Sequence, residues 1–202
     1  MPTKDANSPL AGFTFEELMA EVGDQPTSAQ AHTPRHGSVD KSSRQSSNSV
    51  DFNILKNFGK LSNRKNAASF TIVNWGGYHR YDLRAWSEDY SVPFKGLSFS
   101  EEEIILLKKA LLSYSPQRYT TPLAVVDMGK AKVKMYHTIC ELSSSVIKGI
   151  TWTKKVSVAD WGYGQKFDFR RWTENYEKCS KGICLNSDEV KVFISILSSI
   201  SL

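Results

Sequence analysis

From Ser69 to Trp75 apolar and polar positions alternate with a period of two, Phe70 and Ile72 on one side and Thr71, Val73 and Trp75 on the other, which predicts a strand. Gly76-Gly77 reads as a tight hairpin turn, and the next segment sorts as Tyr81, Leu83 and Ala85 against Arg80, Asp82, Arg84 and Trp86. An extended segment at Val50 to Leu55 precedes this pair. A further strand, Gly96 to Phe99, follows it and ends at Ser100, whose spacing to Glu103 is a capping box for a helix from Glu101 to Leu112. The pattern then returns. Strands are predicted at Met135 to Glu141 and at Lys155 to Trp161, the latter with Val156 and Val158 inward and Lys155, Ser157, Ala159 and Trp161 outward. Phe167 and Phe169 oppose Lys166, Asp168, Arg170 and Trp172, with Arg171 breaking the apolar side. A helix follows Asn186, with Glu189 at the capping-box position and Val190, Val192, Phe193, Ile194, Ile196, Leu197 and Ile200 as its apolar positions.

The return is literal in places. Trp75-Gly76, Asp82, Arg84, Trp86, Tyr90, Lys95-Gly96 and Glu103 recur as Trp161-Gly162, Asp168, Arg170, Trp172, Tyr176, Lys181-Gly182 and Glu189, at a constant offset of 86 residues. Internal self-similarity of this kind outranks local pattern as a fold signal. It predicts an α+β chain of two tandem ββββα modules, 50–113 and 135–202, each a four-stranded antiparallel sheet with one C-terminal helix. Ile104, Ile105, Leu106, Leu107, Leu111 and Leu112 cover more of a helix than one sheet can hide. The expected remedy is helix-on-helix packing, an intrachain pseudodimer paired through the helices.

Outside the modules, residues 1–49 read as a flexible tail. Residues 23–49 are rich in Ser, Gln, Pro, Thr and His and too poor in large apolar side chains to repay ordering. Ahead of them, Thr14 and Glu17 make a capping-box pair, and Phe15, Leu18, Met19 and Val22 form one apolar stripe. This short amphipathic helix, 14–22, reads either as a docking peptide for a partner protein or as a fragment folding back on its own core. Residues 114–134 are the connector. Charge separates the regions: 1–49 carry four cations and six anions, and 50–202 carry 22 and 15. The basic excess thus belongs to the repeats, as a polyanion-binding surface requires. Three cysteines without metal-ligand spacing read as reduced thiols, and with no signal-peptide or membrane-length apolar run the expectation is an intracellular protein, with no membrane partner.

The outward faces combine cations with indoles. Single-stranded nucleic acid calls for this pairing, because unpaired bases offer π-faces while phosphates need counter-charge. The candidate nucleic-acid-binding set is Trp75, Arg80, Arg84, Trp86 and Lys95 in the first module, and Lys154, Lys155, Trp161, Lys166, Arg170, Trp172 and Lys181 in the second. Two readings stand for the four indoles: stacking platforms, or packing residues that close the hairpin and the end of each sheet. Asp82 and Asp168 read as ion-pair partners that orient Arg84 and Arg170. His79 and His137 lack ligand partners at metal spacing, and no cofactor is expected.

WGGYHRYDLRAW with KGLSFSEEE, and WGYGQKFDFRRW with KGICLNSDE, resemble the transcriptional coactivator positive cofactor four family, especially its short bacterial branch of single-stranded DNA-binding proteins. The likeness is good over 135–200, where TWTKKVSVADW also matches, and looser over 50–113. It implies a strand-strand-strand-strand-helix fold, dimerisation through the helices, and single-stranded DNA held across the sheets with little sequence preference. The family's aromatic position before the hairpin turn falls on Trp75 and Trp161, its Asp-x-Arg arginine on Arg84 and Arg170, and the tryptophan after it on Trp86 and Trp172. The first copy departs by having Ala67-Ala68-Ser69-Phe70 where the second has Thr153-Lys154-Lys155-Val156, which removes cations. The tandem either replaces the family's dimer or builds on it by further homo-oligomerisation.

The functional expectation is a non-enzymatic single-stranded DNA-binding protein of transcription, replication or repair, placed in the cytoplasm or nucleoid if bacterial and in the nucleus if eukaryotic. RNA stays open, since stacking and phosphate contacts do not read the sugar. So does a scaffold role through Phe15, Leu18, Met19 and Val22. No nucleophile-base set, paired-carboxylate motif or phosphate-binding loop points to catalysis.

Overall fold

A computed structural model of the chain describes residues 52–129 and 131–201; the amphipathic 14–22 segment, its tether and Lys130 lie outside the described residues. The first half runs β1 (Phe52–Lys60), β2 (Ala68–Trp75), β3 (Tyr78–Trp86) and β4 (Pro93–Phe99), antiparallel neighbours in chain order, and then α1 (Glu101–Ser113). The second half runs β5 (Ala124–Asp127), β6 (Lys132–Ile147), β7 (Ile150–Asp160), β8 (Gln165–Thr173) and β9 (Ile183–Leu185), and then α2 (Ser187–Ser199). Both capping boxes form: Ser100 and Glu103 bond each other's backbone amides at the start of α1, as do Asn186 and Glu189 at α2.

Two matching ββββα modules do not describe this architecture. The second sheet has five strands, because Ala124–Asp127, inside the segment expected to be a connector, pairs with Lys132–Met135 of β6. Pairing through the helices is also corrected. The helices do touch, with Lys108 Nζ donating to the Ile200 carbonyl at 2.9 Å. The surplus apolar positions are not hidden there, however: Ile105, Leu106 and Leu112 are 48%, 49% and 55% exposed.

The two halves instead share one core. Phe70 and Leu83 of the first sheet, Val156, Phe167 and Phe169 of the second, and Ile104, Leu107, Phe193 and Leu197 of the helices form one apolar cluster. Phe193 of α2 meets Phe70 edge-on at 5.0 Å and Phe169 at 5.9 Å, so this helix packs on both sheets. Such sharing supplies the apolar burial that a half of this size lacks alone.

Polar groups cross the same boundary in both directions. Glu103, the capping glutamate of α1, accepts from Lys154 Nζ of β7 at 2.6 Å and from Ser143 of β6. Glu189, the capping glutamate of α2, accepts from Ser62 at 2.9 Å and from Arg64, which follow β1. Burial pushes the Glu103 carboxyl up, but the Lys154 charge and the bonds from Lys154, Ser143 and the Ser100 amide outweigh it and hold it below its ordinary value. Burial pulls the Lys154 ammonium down, and Glu103 opposes that only in part.

Candidate nucleic-acid interface

The register puts Arg84 opposite Ser69 and Asp82 opposite Thr71 in the first sheet, and Arg170 opposite Lys155 and Asp168 opposite Ser157 in the second. These side chains share the face turned away from the helices, as alternation requires. That face is nevertheless closed. Asp82, Thr71, Asp168 and Ser157 are fully buried, and Arg84 and Arg170 are only 4% and 8% exposed. Their own neighbours cover them.

The cover is a stack of rings over a guanidinium. In the first half the Arg84 guanidinium lies 5.3 Å from the Trp75 ring and 5.9 Å from the Trp86 ring, and Phe52 packs on both indoles at 5.1 and 5.4 Å. In the second half Arg170 lies 4.0 Å from Trp161 and 5.8 Å from Trp172, with the two indoles 6.0 Å apart. Asp82 accepts from Arg84 Nε and Nη2 at 2.5 and 3.0 Å, and Asp168 accepts from Arg170 Nε at 2.7 Å. A buried charge is tolerable only when paired and bonded in this way. For Arg170, burial works against the charged form, yet Asp168 and the neighbouring thiols raise its pKa on balance.

The paired Lys-Gly of the repeat also finds its cause here. A Cβ on Gly96 would sit 2.0 Å from Arg84 Cβ, and one on Gly182 would sit 2.4 Å from Arg170 Cβ. The neighbouring strand therefore has to be bare where the arginine lies against it. Tyr90 and Tyr176, repeated at the same offset, close the layer from the other side. Tyr90 Oη meets Ser69 Oγ at 3.1 Å, Tyr176 Oη meets Thr138, and Tyr176 packs on Trp172 at 5.4 Å.

Several expected binding residues are thus placed elsewhere. Trp86 and Trp172 are 1% and 0% exposed and offer no ring to a base. Arg84 and Arg170 are occupied by carboxylates. Lys154 lies on the helix side, bonded to Glu103 and to the Ser98 carbonyl at 2.7 Å. Lys155 is buried in a 2.8 Å pair with Glu141 and lies over the Tyr176 ring at 4.5 Å. The outward reading failed because alternation reports which residues share a face, and says nothing of whether long side chains on that face cover one another.

What stays accessible is at the hairpin ends. Trp75 is half-buried and pairs across the β2–β3 turn with Tyr78, which is 40% exposed, and Arg80 beyond it is exposed. At the β7–β8 turn Trp161 is half-buried, Tyr163 is 83% exposed and Lys166 is half-buried. The tyrosine sits one place differently in the two turns, WGGY against WGYG, yet each tip carries an indole, a phenol and a cation. Lys95 and Lys181 are exposed beside Gly96 and Gly182. Tyr78 and Tyr163 were missed because they fall out of register in the repeat; the turn glycines flanking them were the available signal.

No helix among the described residues is long and apolar enough to cross a membrane. No family model matches the chain, and no solved structure matches it. A protein of Treponema pallidum (strain Nichols), described as an uncharacterized protein, is 35% identical over 71 residues, which are 34% of this chain and 84% of that protein. That relative has room for one half of the architecture, where this chain has two. With a match spanning most of the relative, the chain belongs to the same family as this Treponema pallidum protein.

Proposed function

We propose that the chain is a non-enzymatic, intracellular single-stranded DNA-binding protein, of the kind its motifs resemble, serving transcription, replication or repair. The observation that carries this reading is the recurrence of an accessible phenol and a cation beside a half-buried indole at both hairpin ends, in a region with a clear basic excess. Bases stack on rings at roughly 1–3 kcal/mol each, and cations meet the phosphates between them. Arg80 and Lys95 are both exposed, and each can meet a phosphate. The buried Trp-Arg-Trp layers hold the tips in shape; they are the support rather than the contact.

The test is a titration of the full chain with oligo-dT at low and rising salt, read by tryptophan fluorescence and by anisotropy of a labelled strand. The expected result is saturable binding that weakens steeply with salt. Tyr163→Ala should cost roughly tenfold in affinity with an unchanged unfolding midpoint. Absence of binding by folded protein at low salt refutes the proposal, and preferential competition by oligo-U over oligo-dT moves it to RNA.

A further inference from the structure

The two tips differ in a way the repeat does not explain. Beyond α1 the chain folds back on the second sheet: Tyr114 and Tyr119 both stack on His137, at 5.9 and 5.3 Å, and Tyr114 meets Phe167 edge-on at 5.7 Å. Their hydroxyls lie 3.2 Å apart. Gln165, two residues beyond the exposed Tyr163, then grips the backbone of Tyr119 at both ends. Its Oε1 accepts from the Tyr119 amide at 3.1 Å, and its Nε2 donates to the Tyr119 carbonyl. A side-chain amide bonded to both peptide groups of one residue fixes that residue much as a neighbouring strand would. The first half has exposed His79 at the matching place.

The residue next to this grip is Arg118. It is exposed and forms no ion pair among the described residues, unlike the buried cations of the sheets. Tyr119 is tied to the start of β8 on the sheet face that holds Phe167, so Arg118 stands near the β7–β8 turn that carries Tyr163, while Lys166 approaches the same turn from the opposite face. A guanidinium held there without a carboxylate is suited to a bridging phosphate, whose oxygens it can meet with two parallel N–H groups.

We infer that the docked 114–119 segment is a third contact element of the single-strand site, with Arg118 meeting a backbone phosphate and Gln165 as the positioning residue that holds it beside Tyr163. The second tip is then the stronger of the two. This inference rests on the reading of the tips as nucleic-acid contacts.

The experiment uses the full chain and a fluorescein-labelled oligo-dT, with anisotropy recorded over a salt series and thermal unfolding recorded for every variant. Arg118→Ala should weaken binding about fivefold to tenfold at low salt and lower the slope of log affinity against log salt by about 0.7, the value for one phosphate on a single strand. Arg118→Lys should restore the slope. Gln165→Ala should weaken binding with it, and the double variant should be no weaker than the weaker single one, since both remove one contact. Tyr163→Ala should cost more than Tyr78→Ala. If the native chain binds oligo-dT and Arg118→Ala keeps both affinity and slope, the inference is wrong while the tip reading survives. Additive losses in the double variant overturn the positioning role of Gln165. A native chain that is folded and does not bind refutes the tip reading and this inference together.

Discussion

In the first half Asp82 is bonded by the Ser98 hydroxyl at 2.6 Å, and Arg84 donates to the Phe94 carbonyl at 3.0 Å. In the second half Asp168 takes the thiol of Cys184 at 3.1 Å and the Trp172 indole N–H at 3.2 Å, and Arg170 lies near the sulfurs of Cys179 and Cys184. The arginine, its carboxylate and its two indoles form a layer in both halves, but its internal contacts differ, with the Trp172 indole bonded to Asp168 and Phe52 packed on both indoles of the first half. Of the residues that recur at a fixed offset, the arginine, aspartate, indoles and tyrosine build the open face of each sheet, Glu103 and Glu189 cap the helices, and Lys95 and Lys181 stay exposed. Those that differ, Tyr78 against Tyr163 and His79 against Gln165 with its docked segment, lie at the rim where a ligand has access. Repetition thus marks mainly the scaffold, while the hairpin rims are free of it.

The sharpest way to break this comparison is to crowd the bare strands. Gly96→Ala should destabilise by at least about 3 kcal/mol in urea unfolding, because Arg84 Cβ and the Leu83 carbonyl leave no room for a methyl group. Gly182→Ala should cost somewhat less, its nearest contact being 2.4 Å against 2.0 Å. Equal and negligible effects would mean that the arginine layer is not packed as described.

The exchanged ion pairs should separate next. Lys154→Met leaves the Glu103 carboxylate buried without its cation and should cost about 3 kcal/mol. Arg64→Ala should cost below about 1 kcal/mol, because the Arg64 side chain is 59% exposed and solvent screens what it loses. Chemical denaturation of the two variants measures the difference directly.

A pH series sharpens the same contrast. The Glu103 carboxyl titrates lower in the folded chain than in the unfolded one. Its contribution is therefore fully present above the ordinary carboxylate range and is lost as pH falls through the depressed folded value. Stability should decline on acidification, and Glu103→Gln should flatten that decline while lowering stability near neutrality. An unchanged acid limb in Glu103→Gln would remove this carboxylate from the account.

The smallest expected effect is at the exchanged donor. Cys184→Ser places in the second half the hydroxyl that Ser98 supplies in the first, and should shift stability by less than about 1 kcal/mol. Burial, together with Asp168, pushes the Cys184 thiol up to about 12, so it stays protonated and keeps donating at neutral pH. Thermal unfolding of the variant checks the equivalence.

Much of this was legible in the chain. Alternation placed Phe70 with Leu83 and Arg84 with Ser69 on opposite faces, and the spacings of Ser100 to Glu103 and Asn186 to Glu189 marked both helix starts. Ala124–Asp127 was not legible as a strand, since four residues are too few to display a period and Pro122 stands just before them. Nor was the destination of the helix apolar positions, because a periodic stripe says that a surface is greasy and leaves its partner unnamed. The burial of Trp86 and Trp172 escaped for a related reason: an indole beside an arginine has the same sequence signature whether a base or the protein itself supplies the other half of the stack. Tyr90 and Tyr176, repeated with them, were the clue that each half furnishes its own lid.

The crosswise carboxylates carry a consequence for autonomy. Each copy lends a cation to the helix start of the other, so neither can be excised, swapped for its twin or replaced by a stranger without stranding a negative charge indoors. Positions 62, 64, 103, 143, 154 and 189 thereby make the two copies a single folding unit, while the hairpin ends take no part in that exchange.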